Sequence, residues 1–282
     1  MIGNKPQKEV AFGVCTSLLY SFLNLTIVLY TSYFSMDMMV AHHQYAPCDW
    51  PKASGPSSSI STVERICPIA KNITVEVISD EFIGSGILIR KDGFTHVVLT
   101  SAHVLSFEDP PYFIRTFDGN IYVAKPLDSS LGTMDLAFLY FDSSTEHYPI
   151  ASIVPFSDFQ AGDTVFASGF LRGEDSRLSP NEFVFREGEI TAILDQPIEN
   201  GYQIASNVQI DSGMSGGPLI NSTGEIIGVN GLRDDPLWDI PIRYEDGTEP
   251  EMSLQSTINQ SSLAIPLQDI LTDLGIIQSE EW

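Results

Sequence analysis

From residue 73 onward the chain repeats one pattern: a run of four to nine residues rich in β-branched and aromatic side chains, then a turn. The runs cover residues 73–78, 83–90, 95–100, 121–124, 135–141, 164–170, 182–186, 189–194, 202–210 and 225–229. Asp92-Gly93, Asp118-Gly119 and Thr223-Gly224 stand between runs, where glycine supplies the backbone freedom of a tight hairpin. Many short strands joined in this way bury a core as an all-β barrel or sandwich. A helical pattern appears once in this part, from Pro266 to Leu274, with Gly275 as its stop.

The N-terminal part is built differently. From Ala11 to Met36 there are 26 residues without a charge, and about 20 apolar residues suffice to cross a bilayer. Lys5 and Lys8 precede this stretch and Asp37 follows it, which places the N-terminus on the cytoplasmic side. The expectation is a single-pass membrane anchor, with the rest of the chain periplasmic or extracellular. A cleaved signal peptide followed by secretion is the alternative. Its apolar core is usually shorter, about 7–15 residues, and Ala41 is the nearest weak cleavage site. Between Gln44 and Thr62 the composition shifts to Pro, Ser and Ala, as in a linker. The expected organisation is a tip and anchor (or signal) over 1–43, a flexible linker over 44–66 and a folded domain over 67–282. With 14 Lys+Arg against 37 Asp+Glu, a net charge of −23 disfavours nucleic acid and anionic lipid as partners.

Chemistry concentrates at Gly213-Met214-Ser215-Gly216-Gly217-Pro218. Glycines this close to a serine let the backbone bend, expose the hydroxyl and turn N–H groups toward a ligand, as acyl transfer requires of a nucleophile. In α/β-hydrolases such a string is followed by its base. Here all five histidines (42, 43, 96, 103 and 147) lie upstream. His103 ends the apolar run Val97-Val98-Leu99-Thr100-Ser101-Ala102-His103. Asp135 is a carboxylate among apolar residues, Met134-Asp135-Leu136-Ala137-Phe138, and is costly to bury without a hydrogen-bond partner. A histidine N–H is the natural partner, and the pair would fix the imidazole tautomer that deprotonates Ser215. Singly, each residue has an ordinary explanation: a turn serine, a strand-end histidine, a capping aspartate. Their order, His then Asp then Ser, makes three coincidences the harder account.

On Thr100-Ser101-Ala102-His103, Asp135-Leu136-Ala137 and Asp211-Ser212-Gly213-Met214-Ser215-Gly216-Gly217-Pro218 the chain resembles trypsin-like serine endopeptidases of the chymotrypsin fold. The bacterial type is the nearer one: Ala264-Ile265-Pro266 is similar to a string in Deg-type proteases, with too few residues after it for their PDZ domain. The resemblance implies two six-stranded antiparallel β-barrels with His103 and Asp135 in the first and Ser215 in the second. It implies Ser215 as nucleophile, His103 as base, Asp135 as its orienting carboxylate, and the N–H groups of Gly213 and Ser215 as the oxyanion hole. Substrates would be proteins or peptides, and no metal or organic cofactor is implied. Met214 stands where digestive members carry an aspartate that pairs with a newly cut N-terminus, so that activation route does not carry over. Gln209, six residues before the serine, falls at the floor of the specificity pocket, where a Lys/Arg-cleaving enzyme has Asp; Asn230 is the second pocket residue. An uncharged floor points to small, apolar or polar uncharged side chains at the cleaved position.

The alternative of a different class is a catalytically silent, membrane-tethered binding or scaffold protein on the same fold, with residues 233–261 able to cover the cleft. Esterase activity is a third reading of the same triad. His96 is expected as an exposed strand residue and His147 as a loop residue. His42 and His43 lack the further ligands of a metal site. Cys15 falls in the apolar stretch; Cys48 and Cys67 flank the linker, as one disulfide or as two thiols.

Overall fold

The computed structural model describes residues 48, 61–79, 82–106, 110–128, 131–143, 148–154, 158–172, 181–232 and 242–267. The expected anchor from Ala11 to Met36, most of the linker, His42, His43 and His147 lie outside the described residues, as does the expected C-terminal helix from Gln268 onward. Among the described residues, no helix is long and apolar enough to cross a membrane.

Six strands form the first barrel: β1 (Thr74–Ile78), β2 (Ile83–Asp92), β3 (Thr95–Thr100), β4 (Tyr112–Arg115), β5 (Ile121–Leu127) and β6 (Ala137–Asp142). They close in the order β1-β2-β3-β6-β5-β4. The second barrel holds β7 (Thr164–Leu171), β8 (Glu182–Ile198), β9 (Tyr202–Ser206), β10 (Pro218–Asn221), β11 (Ile226–Leu232) and β12 (Ser262–Pro266), closed in the order β10-β11-β12-β9-β8-β7. All pairs within the ladders are antiparallel. Closure removes the exposed edges that open sheets must protect.

The differences from the sequence pattern have local causes. The runs at 182–186 and 189–194 are one strand, because Glu187 and Gly188 keep pairing with Phe166 and Val165 across the break in hydrophobicity. Pro266, where the helical pattern begins in the sequence, is the last residue of β12, which is held between β11 and β9. His96 is fully buried, not exposed. Its position in β3 shares a face with Val98, and that face looks into the barrel. There its ring stacks on Phe141, centroids 5.1 Å apart, and meets Tyr148 edge-on.

Helix α1 (Thr62–Ile73) takes over the end of the segment expected as linker. Ser61 caps it: its Oγ accepts the Glu64 N–H, and the Glu64 carboxylate accepts the Ser61 N–H at 2.8 Å. This reciprocal box satisfies two N–H groups that a helix start otherwise leaves open. Ile66, Cys67, Ala70 and Ile73 form the buried face, and burying each isoleucine contributes about 1.5–3 kcal/mol. That face packs on β1, β2 and β8, so α1 touches both barrels. The Arg65 guanidinium donates to the Ser222 carbonyl at 2.8 Å. Cys48 and Cys67 are joined in a disulfide, Cα atoms 5.3 Å apart, which ties the chain before the helix to its buried face.

The apolar interior has three parts. Val75, Val77, Leu88, Val98 and Phe141 belong to a core within the first barrel. Val165, Val184, Ile204, Val208 and Met214 belong to one within the second. A third core draws on α1 and both barrels, with Ile66, Ile87, Leu99, Phe138, Phe166 and Tyr202. The barrels also meet through polar groups of β2. Ser85 Oγ accepts the Phe170 N–H at 2.9 Å and donates to the Gly213 carbonyl at 2.7 Å. Glu76 in β1 pairs with Arg115 of β4 and accepts from the Asn181 amide.

Candidate active site

His103 lies on α2 (Ala102–Ser106), a short helix that begins two residues after β3. The end of β3 is fixed where Thr100 Oγ1 donates to the Ser85 carbonyl at 2.7 Å. The helix is pinned by the Val104 N–H to the Ser101 carbonyl and by the Ser106 hydroxyl to the His103 carbonyl. Asp135 stands two residues before β6, and its N–H donates to the Asn200 carbonyl of the second barrel at 3.0 Å.

The two side chains meet as expected. His103 Nδ1 lies 2.6 Å from Asp135 Oδ2, and the His103 backbone N–H donates to Oδ1 at 2.7 Å. Two bonds to one residue fix both the position and the rotation of the carboxylate. A third donor was not foreseen: the Tyr202 hydroxyl, from β9, also donates to Oδ2. Burial pushes the Asp135 carboxyl up, but the hydrogen bonds from His103 and Tyr202 outweigh it and hold it below the usual carboxylate range. Burial beside this negative charge also pushes the Tyr202 phenol far up, so it stays a protonated donor.

Ser215 comes from the turn between β9 and β10. Gly213 has φ +99°, and a Cβ there would collide with the Phe170 carbonyl. Gly216 has φ +84°, and a Cβ there would collide with the Ser85 carbonyl and Thr100 Oγ1. Both positions therefore require glycine twice over, for conformation and for space. The close approach of Gly216 to Thr100 and Ser101 brings the serine turn against the strand end that carries His103. Ser85 N–H binds the Ser215 carbonyl at 2.8 Å. The Ser215 hydroxyl itself donates to the Gly231 carbonyl at 3.1 Å, and not to His103.

The N–H groups of this turn divide into two sets. Those of Met214, Gly216 and Gly217 are taken up by Asp211, Asn230 and Met214 carbonyls. Those of Gly213 and Ser215 have no acceptor among the described residues. Ser85 Oγ donates to the Gly213 carbonyl, which fixes the Gly213–Met214 peptide between those two N–H groups.

The two residues expected in the pocket sit differently. Gln209 is exposed, and its carbonyl accepts from the buried Arg186 guanidinium at 2.7 Å. The same guanidinium pairs with the Asp211 carboxylate. Asn230 is buried, and its amide donates to the Gly217 and Pro218 carbonyls at 3.2 and 2.8 Å. It thereby braces the strand that leaves the serine turn.

Sequence reading missed Tyr202, Ser85, Gly231 and Arg186. Ser85 sits in Gly84-Ser85-Gly86, a second glycine-framed serine that could have drawn notice. Nothing local marks the other three.

Two closed six-stranded barrels, with a His–Asp pair from one and a glycine-framed serine turn from the other, define the chymotrypsin class of fold. Residues 84–229 match the trypsin-like peptidase domain family, and the chain belongs to that family. It is 28% identical over 202 residues to the "Probable periplasmic serine endoprotease DegP-like" of Pseudomonas fluorescens, covering 68% of this chain and 40% of that protein. It is 30% identical over 153 residues to the "Serine protease Do-like HtrA" of Bacillus subtilis, covering 53% and 33%. With the "Serine protease HTR4" of Rattus norvegicus it shares 30% identity over 154 residues, covering 53% and 29%. The chain spans less than half the length of these relatives.

Proposed function

We propose that the chain is a serine endopeptidase that cleaves protein or peptide substrates through His103, Asp135 and Ser215. The observation that carries this is the doubly hydrogen-bonded His103–Asp135 pair set beside a turn whose serine is framed by obligatory glycines. Rotation of the Ser215 side chain away from the Gly231 carbonyl frees its hydroxyl for His103. His103 takes the proton as Ser215 Oγ attacks the peptide carbonyl, and Asp135 stabilises the resulting imidazolium. The N–H groups of Gly213 and Ser215, which have no acceptor among the described residues, receive the developing oxyanion. His103 then protonates the leaving amine, and water releases the acyl group. Gln209 offers dipoles but no charge to a side chain in the specificity pocket, consistent with small or uncharged residues at the cleaved position.

The enzyme works outside the cytoplasm, tethered by the uncharged stretch from Ala11 to Met36. The lysines before that stretch set its direction, the Cys48–Cys67 disulfide suits an oxidising compartment, and the Pseudomonas relative is named as periplasmic.

Labelling of the full-length protein with a fluorophosphonate, together with turnover of a casein substrate, tests the reading. The wild type should label at Ser215, and Ser215→Ala should lose labelling and about a million-fold in turnover while staying folded. A folded wild type that neither labels nor cleaves would establish the silent scaffold instead.

A further inference from the structure

Tyr202 and Gly231 fit one another in a way the triad alone does not require. Tyr202 is fully buried, at the start of β9. Its hydroxyl, which bonds Asp135, occupies the space that a side chain at residue 231 would need: any Cβ there would collide with Oη and approach ring carbons within 2.7 Å. Gly231 is in turn set aside from its ladder: the register between β11 and β12 shifts between Asn230 and Leu232. The carbonyl of the same glycine accepts the Ser215 hydroxyl. One residue without a side chain therefore leaves room for the donor to Asp135 and also holds the serine at rest.

We propose that Tyr202 is a positioning residue for the His103–Asp135 pair, admitted to the carboxylate by the missing side chain at position 231. The inference rests on the proposed peptidase reading. Both bonds from His103 come from one residue of the first barrel, so they fix the carboxylate relative to His103 but not relative to the second barrel. A second donor on Oδ2, from the opposite barrel, holds the carboxylate plane and spreads its charge. Because Tyr202 belongs to the second barrel and His103 to the first, the bond also couples the alignment of the pair to the docking of the barrels. Tyr202 is fully buried and bonds Asp135, so it acts through that carboxylate. It remains a neutral donor, while Oδ1 is engaged separately by the His103 N–H.

Two variants attack the contact from opposite sides. Tyr202→Phe removes the hydroxyl and leaves the ring. Gly231→Ala leaves the hydroxyl and fills the space it needs. Each should lower kcat about tenfold with KM unchanged, far short of the roughly ten-thousand-fold loss seen when the triad carboxylate itself is replaced in related enzymes. Their combination should be no worse than the poorer single variant, since both break one contact. In a Ser215→Ala background, where turnover plays no part, the NMR titration of the Asp135 carboxyl carbon should move up by about one pH unit on Tyr202→Phe. That measurement separates the two readings: an inactive wild type sinks the peptidase, whereas the carboxyl titration still decides the role of Tyr202. Wild-type kcat together with an unmoved Asp135 titration in Tyr202→Phe would overturn the proposal. So would losses that simply multiply in the double variant. Should Tyr202→Phe fail to fold, Gly231→Ala carries the same titration test.

Discussion

The two barrels supply the site by different means. The first gives side chains: His103 and Asp135 bind each other, and their geometry is held by hydrogen bonds between named polar atoms. The second gives backbone: Gly213 and Gly216 hold conformations that other residues resist, and the turn leaves the N–H groups of Gly213 and Ser215 without an acceptor among the described residues. Tyr202 is the exception, a side chain from the second barrel that completes the pair in the first. The difference teaches where each half tolerates change. A side-chain machine loses chemistry when one group is exchanged and keeps its fold. A backbone machine loses both at once when a Cβ is added, because the same turn packs the barrels together.

Asp135→Asn gives the largest effect within this contrast. The amide cannot hold the imidazole in the required tautomer, and kcat should fall about ten-thousand-fold, as in related triads. Stability carries a separate signature. The folded carboxyl lies below its ordinary value of about 3.9. Its contribution is therefore present above that value and is lost as pH falls through the lower, folded one. The stability gap between wild type and Asp135→Asn, read by urea unfolding, should narrow as pH drops below about 4. A gap that widened on acidification would contradict the hydrogen-bonded, ionised Asp135.

Gly213→Ala tests the other half. The added methyl collides with the Phe170 carbonyl at a φ of +99°, so the peptide must turn. Turnover should fall about 100- to 1,000-fold, the worth of one oxyanion donor, and stability by roughly 1–3 kcal/mol, the cost of a strained backbone. The His103 Nδ1–H resonance should nevertheless persist, since the pair in the first barrel is untouched. Full activity in this variant would break the comparison.

Ser61→Ala should show the smallest effect. It removes the cap of α1 and costs about 1 kcal/mol, seen as a lowered urea midpoint with kcat unchanged. A large loss of activity here would mean that α1, packed on β1, β2 and β8, controls the alignment of the barrels and not only their stability.

The sequence by itself determined most of the strands, though not β4, β10 or β12, together with the hairpin turns and the order of the three motif residues. Those depend on properties readable within a few positions: alternation of apolar residues, glycine after aspartate, a serine framed by glycines. It also marked Asp135, because a carboxylate among apolar neighbours demands a partner. The tertiary structure decided what depends on residues far apart in the chain. Helix α1 escaped notice because Pro, Ser and charged residues around its cap read as linker, and its apolar face gains meaning only against the two barrels. His96 looked exposed because alternation tells which residues share a face but not which face turns inward. The burial of Asn230, the use of Arg186 beneath Gln209 and the bond from Tyr202 to Asp135 follow only from barrel closure. Closure brings residues 67 positions apart within one hydrogen bond, and no local pattern encodes a contact whose two halves are made by different strands.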